Sequence, residues 1–121
     1  MNFKIAAGRQ GEESAVRYLR SNGYRILERN VRARFGEIDI VAQDKEVLCF
    51  VEVKTRSSVR FGWPEEAVTF QKRQKLIRLA QWYLRRRGKT STPVRFDVLS
   101  LLPAPDGSQG RIRLIKGAFE V

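Results

Sequence analysis

Three residues in the stretch GEIDIVAQDKEVLCFVEVKTR, Gly36 to Arg56, have types and spacing suited to chemistry: Asp39, Glu52 and Lys54. Carboxylate oxygens beside an ammonium are the groups from which a site for a hard cation is built, since Mg²⁺ or Mn²⁺ takes oxygen ligands and needs neither imidazole nor thiolate. The rest of the chain narrows the choice in the same direction. Its 121 residues include no histidine and one cysteine, Cys49, which removes Ser-His-Asp triads, Cys-His pairs, the usual zinc cages and any intrachain disulfide. Cys49, between Leu48 and Phe50, reads as a small buried hydrophobe. Catalysis here must therefore run on carboxylates, lysine, tyrosine or a metal bound by oxygen.

Those three side chains need two strands to bring them together. Side chains alternate along a strand, so Phe50, Glu52 and Lys54 share one face of a strand over 47–55, and Cys49, Val51 and Val53 share the other. A strand over 37–42 precedes it, joined by the hairpin connection Gln43-Asp44-Lys45-Glu46. Pairing Gln43 with Glu46 sets Ala42 against Val47 and Asp39 against Phe50, which leaves Asp39 diagonal to Glu52, about 7 Å away at the backbone. Ile38, Ile40 and Ala42 then form one apolar face, while Val41, Leu48 and Phe50 cover the acids' own face nearer the turn. The acids sit at the mouth of a core, where neighbouring carboxylates repel unless one is protonated or a cation joins them. Mg²⁺ or Mn²⁺ suits this donor set, and Lys54 would hold a water or an anion beside it. The plain alternative is an ion pair of Glu52 with Lys54, and Asp39 neutralised by one of many arginines.

The surrounding elements follow from periodicity and punctuation. Residues 8–21 carry Glu12, Ala15, Val16 and Leu19 at helical spacing and stop at Asn22-Gly23. A strand over 24–32 follows, then the hairpin, then a turn-like segment over 57–64 in which Pro64-Glu65-Glu66 suits a helix start. A helix over 69–87 has the stripe Leu76, Ile77, Ala80, Tyr83 and Leu84 and ends at Gly88. Strands over 94–102, interrupted by Asp97, and 111–115 complete the chain, with a turn-rich loop over 103–110 between them. The pattern predicts one α/β domain over residues 1–121, a mixed sheet flanked by helices in the order αβββαββ. No apolar stretch has the length of a signal peptide or a membrane span, so a cytoplasmic protein is expected.

Charge points to the partner. Lys and Arg number 24 against 13 Asp and Glu, a formal net charge of +11, and the pI is near 10.7. Such an excess favours an anionic polymer, above all nucleic acid, because cations that neutralise phosphates release condensed counterions. Simple surface solubility is the alternative use of the same charge.

The segments GRQGEESAVRYLRSNGYRILERN, GEIDIV, FVEVKTR and RFDVLSL together resemble the YraN-like family of bacterial endonuclease-like proteins. That family is similar in turn to archaeal Holliday junction resolvases and to the restriction-endonuclease-like PD-(D/E)XK superfamily. The likeness covers nearly the whole chain in order, and GEID followed by FVEVK is its most specific part. It implies a restriction-endonuclease-like central mixed sheet with a Mg²⁺- or Mn²⁺-dependent phosphodiesterase site, in which Asp39 matches the first acid and Glu52 and Lys54 the E-x-K. Ile38 stands where the motif's proline would be. Glu12 matches the acid that junction resolvases carry on their first helix, and Lys72 a lysine of the family pattern.

These likenesses can be set beside each residue's own reading. Glu12 shares the apolar stripe of its helix and would orient a water, or it simply favours the helix dipole. Lys72 would reach the scissile phosphate from the sheet-facing side, one turn before Leu76, or it snorkels at a helix end. Arg56, Arg60 and Lys75 are further phosphate-contacting candidates, and Phe61 and Trp63 would stack on a base or pin their loop. Asp97 is expected to pair with a neighbouring basic group. The resulting expectation is a nuclease acting on DNA, branched DNA being the class the resemblance suggests, and a homodimer by analogy with the resolvases. A non-catalytic nucleic-acid-binding module, or a scaffold for a DNA-processing partner, is the alternative on the same fold.

Overall fold

The computed structural model describes residues 9–55, 68–89, 91–102 and 110–119. Its elements are α1 (Arg9–Ser21), β1 (Arg25–Ala33), β2 (Gly36–Asp44), β3 (Val47–Thr55), α2 (Phe70–Arg87), β4 (Val94–Leu102) and β5 (Arg111–Phe119). The five strands form one sheet in the order β1-β2-β3-β4-β5. β3 and β4 run parallel, and every other pair is antiparallel. This is the expected α/β architecture, a mixed sheet flanked by helices. No helix among the described residues is long and apolar enough to cross a membrane.

The helices end where local chemistry stops them. After α1, Gly23 takes a φ of 89°, and the Tyr24 N–H turns back to the Leu19 carbonyl at 3.0 Å. The Thr69 hydroxyl caps α2 by accepting the Lys72 N–H at 3.3 Å. At its other end Gly88 is left-handed, and the Lys89 N–H bonds the Leu84 carbonyl at 2.9 Å. A side chain with Cβ at Gly88 would oppose that closing turn.

Each helix covers one face of the sheet. Ala15, Val16 and Leu19 of α1 pack with Ile40, Ala42, Cys49, Val51, Leu99 and Leu101. Ile77, Leu79, Ala80 and Tyr83 of α2 pack with Ile38, Val41, Leu48, Phe50, Phe96 and Val98 on the opposite side. The strict alternation of β3 between these cores explains its almost unbroken apolar run, since a central strand is buried on both faces. Cys49 is fully buried, as expected, and burial pushes its thiol up to about 12. Phe50 meets Tyr83 edge-on at 5.7 Å and stacks with Phe96 at 5.8 Å, contacts that add roughly 0.5–1.5 kcal/mol each to simple burial.

Three expectations are corrected. The connection between β2 and β3 is two residues, Lys45 and Glu46, and the register sets Asp44 against Val47 and Gln43 against Leu48. The expected pairing of Gln43 with Glu46 also enclosed two residues, Asp44 and Lys45, but the turn lies one residue further along, where Lys45 adopts a φ of 57°. The supposed single apolar face of β2 is also divided, Ile38 packing on the α2 side and Ile40 and Ala42 on the α1 side. Lastly, β5 continues past Ile115 to Phe119 through a register shift. Gly117, at φ 62°, lets the strand bulge there, and Phe119 regains the ladder opposite Phe96, its ring stacked at 4.9 Å.

Candidate active site

The β2–β3 ladder runs from Asp44↔Val47 to Ile40↔Val51 and then ceases. One step further in the same register would place Asp39 directly opposite Glu52. There the Asp39 carboxylate, through Oδ2, accepts the Val53 N–H at 2.8 Å, taking the place of a ladder carbonyl where the strands part. The displaced turn therefore shifts the position that Asp39 faces, by extension of the register, from Phe50 to Glu52.

The neighbouring strand is distorted at the same level. Arg29↔Ile40 and Val31↔Ile38 are paired, and between them Asn30 has a φ of 53°. Asparagine is among the few non-glycine residues that tolerate this left-handed conformation. The kink aims the Asn30 amide at α1, where Nδ2 donates to Glu12 Oε2. Arg29 sits 2.8 Å from Glu13 and 3.9 Å from the same Glu12 oxygen. It is at this level that β2 changes which face its isoleucines supply.

Glu52 lies on the α2 side of β3, paired with Val98 of that core. Its Oε1 stands 3.3 Å from Lys54 Nζ, with the two side chains only 19% and 12% exposed. Burial and then the Glu52 charge push the Asp39 carboxyl up to about 7, against the opposing effect of the Val53 N–H, with smaller contributions from Glu37 and Glu12. Lys54 is the partner of Glu52. Among the described residues Asp39 forms no ion pair with lysine or arginine.

That donor set fits a hard divalent cation. Among the described residues no three acidic or cysteine side chains cluster into a complete cage. Mg²⁺ seldom requires one, since it binds through one or two carboxylates and fills its shell with waters and substrate phosphate. Asp39 and Glu52 are the residues that would hold the ion.

The other candidates are distributed unevenly. Glu12 is within electrostatic reach of Asp39, though Asn30 and Arg29 engage it. Lys72 is exposed in the first turn of α2, ahead of the buried stripe that begins at Ile77. Lys75 is exposed too, but its stem crosses the start of β2: a Cβ at Gly36 would lie 2.8 Å from Lys75 Cε. Arg56 and Arg60, like Phe61, Trp63 and the Pro64-Glu65-Glu66 helix start, lie outside the described residues. Asp97 behaves as expected. It is buried and accepts from Tyr24 Oη at 2.7 Å, Arg95 Nε at 2.8 Å and the Gly117 N–H at 2.9 Å.

Two parts of the site escaped the residue patterns. Asn30 carried a weak signal, being an asparagine inside a strand, where that residue is depleted. The bond from the Val53 backbone to Asp39 carried none, because it depends on where a ladder ends.

The profile of the uncharacterised protein family UPF0102 matches residues 11–101. A UPF0102 protein of Symbiobacterium thermophilum is 54% identical over 112 residues, covering 93% of this chain and 94% of its own length. One from Persephonella marina is 44% identical over 119 residues, with 98% and 97% covered. Another, from Acetivibrio thermocellus, is 46% identical over 122 residues, with 98% and 94% covered. With a matched profile over most of its length and relatives this similar from end to end, the chain belongs to the UPF0102 family.

Proposed function

We propose that this protein is a metal-dependent nuclease that hydrolyses phosphodiester bonds in DNA, with Asp39, Glu52 and Lys54 as its working residues. One observation carries the reading: Asp39 is held by the Val53 N–H where two strands part, and burial together with the Glu52 charge raises its carboxyl to about 7. Among the described residues Asp39 has no cation of its own, whereas the structural Asp97 has Arg95. The resemblance to junction-cleaving enzymes adds branched DNA as the first substrate to try.

Each residue has a separable task. The Val53 N–H fixes one Asp39 oxygen, and the other is the one that would coordinate. Lys54, tethered by Glu52, holds a positive charge where negative charge builds on the phosphate oxygens in the transition state. Mg²⁺ or Mn²⁺, when bound by Asp39 and Glu52, supplies Lewis acidity toward the phosphate and makes a water more acidic. Water adds across one P–O ester bond, its oxygen joining phosphorus while the departing oxygen takes up a proton. The basic surface grips the backbone without reading bases, since phosphate contacts set register and carry no sequence information.

The test pairs cleavage with metal binding. Wild-type protein and Asp39→Ala are assayed on four-way junction, flap, single-stranded and duplex DNA with Mg²⁺ and with Mn²⁺, and Mn²⁺ is titrated by calorimetry. Loss of cleavage by about 10³-fold or more and of the Mn²⁺ heat, with DNA affinity nearly unchanged, is expected of the variant. Equal rates for the two proteins would refute the assignment. Tight, salt-dependent DNA binding with neither Mn²⁺ uptake nor cleavage would favour a non-catalytic module.

A further inference from the structure

The two-residue turn between β1 and β2 and the outer flank of α2 enclose an open groove of about 410 Å³ lined by Arg34, Phe35 and Trp82. Arg78, Trp82 and Arg86 are spaced four apart on α2 and therefore line up along one side of the helix. The Arg78 guanidinium lies 5.1 Å from the Phe35 ring centre, and that of Arg86 lies 5.1 Å from the Trp82 ring centre. Rings and cations thus alternate, and no acidic side chain is among the described residues lining the groove.

We propose that this groove binds a single-stranded stretch of nucleic acid, with bases against Phe35 and Trp82 and phosphates on Arg34, Arg78 and Arg86. The proposal rests on the nucleic-acid reading above and deepens it by assigning a subsite. Flat apolar rings offer bases a surface that only unpaired bases can reach, whereas a duplex keeps its faces stacked inside. A guanidinium lying on a ring stays charged and retains N–H donors for phosphate, and its own plane extends the stacking surface. An acidic peptide would use the charge but leave the rings without a purpose.

The groove is placed to serve the acid pair. Phe35 precedes Asp39 by four residues along the chain, roughly 13 Å of extended strand. Lys75 bridges the interval, its stem lying over Gly36, where a Cβ would also come within 3.1 Å of Leu79. An unpaired strand leaving the acid pair would pass a cation and then reach the rings a few nucleotides away. A branch point or a flap supplies such a strand, and a continuous duplex does not.

The measurement is fluorescence anisotropy in EDTA, so that it reads binding without metal or cleavage, using labelled dT12 and a blunt duplex with the same number of phosphates. The double variant Phe35→Leu, Trp82→Leu keeps apolar bulk and removes both rings. It should lose affinity for dT12 by about tenfold or more, with an unchanged salt slope and unchanged duplex affinity. Affinity for dT12 within twofold of wild type, or an equal loss for both DNAs, would overturn the proposal. A second readout does not depend on how the double variant folds. The chain has two tryptophans, so Trp63→Phe leaves Trp82 as the sole emitter, which dT12 should quench and poly-glutamate should not. Absence of quenching, or poly-glutamate displacing dT12 at matched charge, would also overturn it, the latter in favour of an acidic protein partner. If the Asp39 experiments fail while these succeed, the nuclease reading falls and the groove stands. The reverse outcome removes the groove alone.

Discussion

Asp97 and Asp39 are two buried or half-buried acids on neighbouring parts of one sheet, and the protein treats them oppositely. Around Asp97 the polar groups close on themselves: Tyr24 and the Gly117 N–H donate to it, Arg95 grips both of its oxygens, and the same Arg95 reaches Asp44 at 2.9 Å. Lys116 completes the set at 3.1 Å from Asp44. Around Asp39 the contacts among the described residues are fewer, with one backbone N–H for Asp39 itself and an ammonium, that of Lys54, paired with Glu52. A closed network of this kind rigidifies a fold, whereas an open one of like charges raises its energy and invites a ligand. The chain therefore contains both a polar cluster that stabilises and one that is costly to keep.

The comparison is broken most directly at Asp97. We predict that Asp97→Ala, which strands the Arg95 guanidinium and the Tyr24 hydroxyl, lowers stability by about 3–5 kcal/mol in urea unfolding. A loss below about 1 kcal/mol would mean the cluster is not the anchor its geometry implies.

The acid pair gives the next largest effect, with the opposite sign. The folded-state pKa of Asp39 stands at about 7 against an ordinary 3.8, so the fold favours its neutral form. That preference is fully present below about pH 4 and is lost as pH rises through 7. Wild-type stability should fall by on the order of 2 kcal/mol from pH 5 to pH 8 on this account. Asp39→Asn keeps an acceptor for the Val53 N–H and removes the charge. It should flatten that slope and be the more stable protein at pH 8 while losing Mn²⁺ binding. Parallel pH profiles for the two proteins would show that Asp39 ionises without penalty.

Lys54 sharpens the same contrast. Lys54→Met should slow cleavage by about 10²-fold with Mn²⁺ binding retained, a pattern that distinguishes charge supplied to the transition state from charge that merely steadies Glu52.

The smallest effect belongs to the rim of the closed cluster. Hydrogen bonds from Arg95 and Lys116 hold the Asp44 carboxyl below its usual range, so its contribution is present above about pH 4 and is lost as pH falls through that lowered value. Lys116 is 48% exposed, and water screens its share. Asp44→Asn should cost no more than about 1 kcal/mol at neutral pH, read as a shallower acid limb of the stability profile.

How much of this could be read from residues alone depends on the range of the interaction. Elements set by local rules were legible: α2 with its threonine start and Gly88 stop, β3 with its alternating apolar run, and the buried Cys49. So was the inventory of chemical groups, because a chain without histidine and with one cysteine leaves carboxylates and lysine, and E-x-K on a strand puts Glu52 and Lys54 on one face whatever the fold. The extent of β5 was not legible, since Lys116-Gly117-Ala118 scarcely resembles a strand until Asp97 and Phe96 supply partners for Gly117 and Phe119.

What the amino-acid order determined by itself was the inventory and its local periodicity, which rest on interactions among residues a few positions apart. Only the tertiary structure decided which two residues close the hairpin, that the ladder ends at Ile40, and that the register, carried one step further, turns Asp39 toward Glu52 and not Phe50. It alone gathered Tyr24, Asp44, Arg95, Asp97 and Lys116 into one network and set Phe35 beside Trp82. Register and helix placement follow from the packing of both sheet faces at once, and no window of sequence contains both faces.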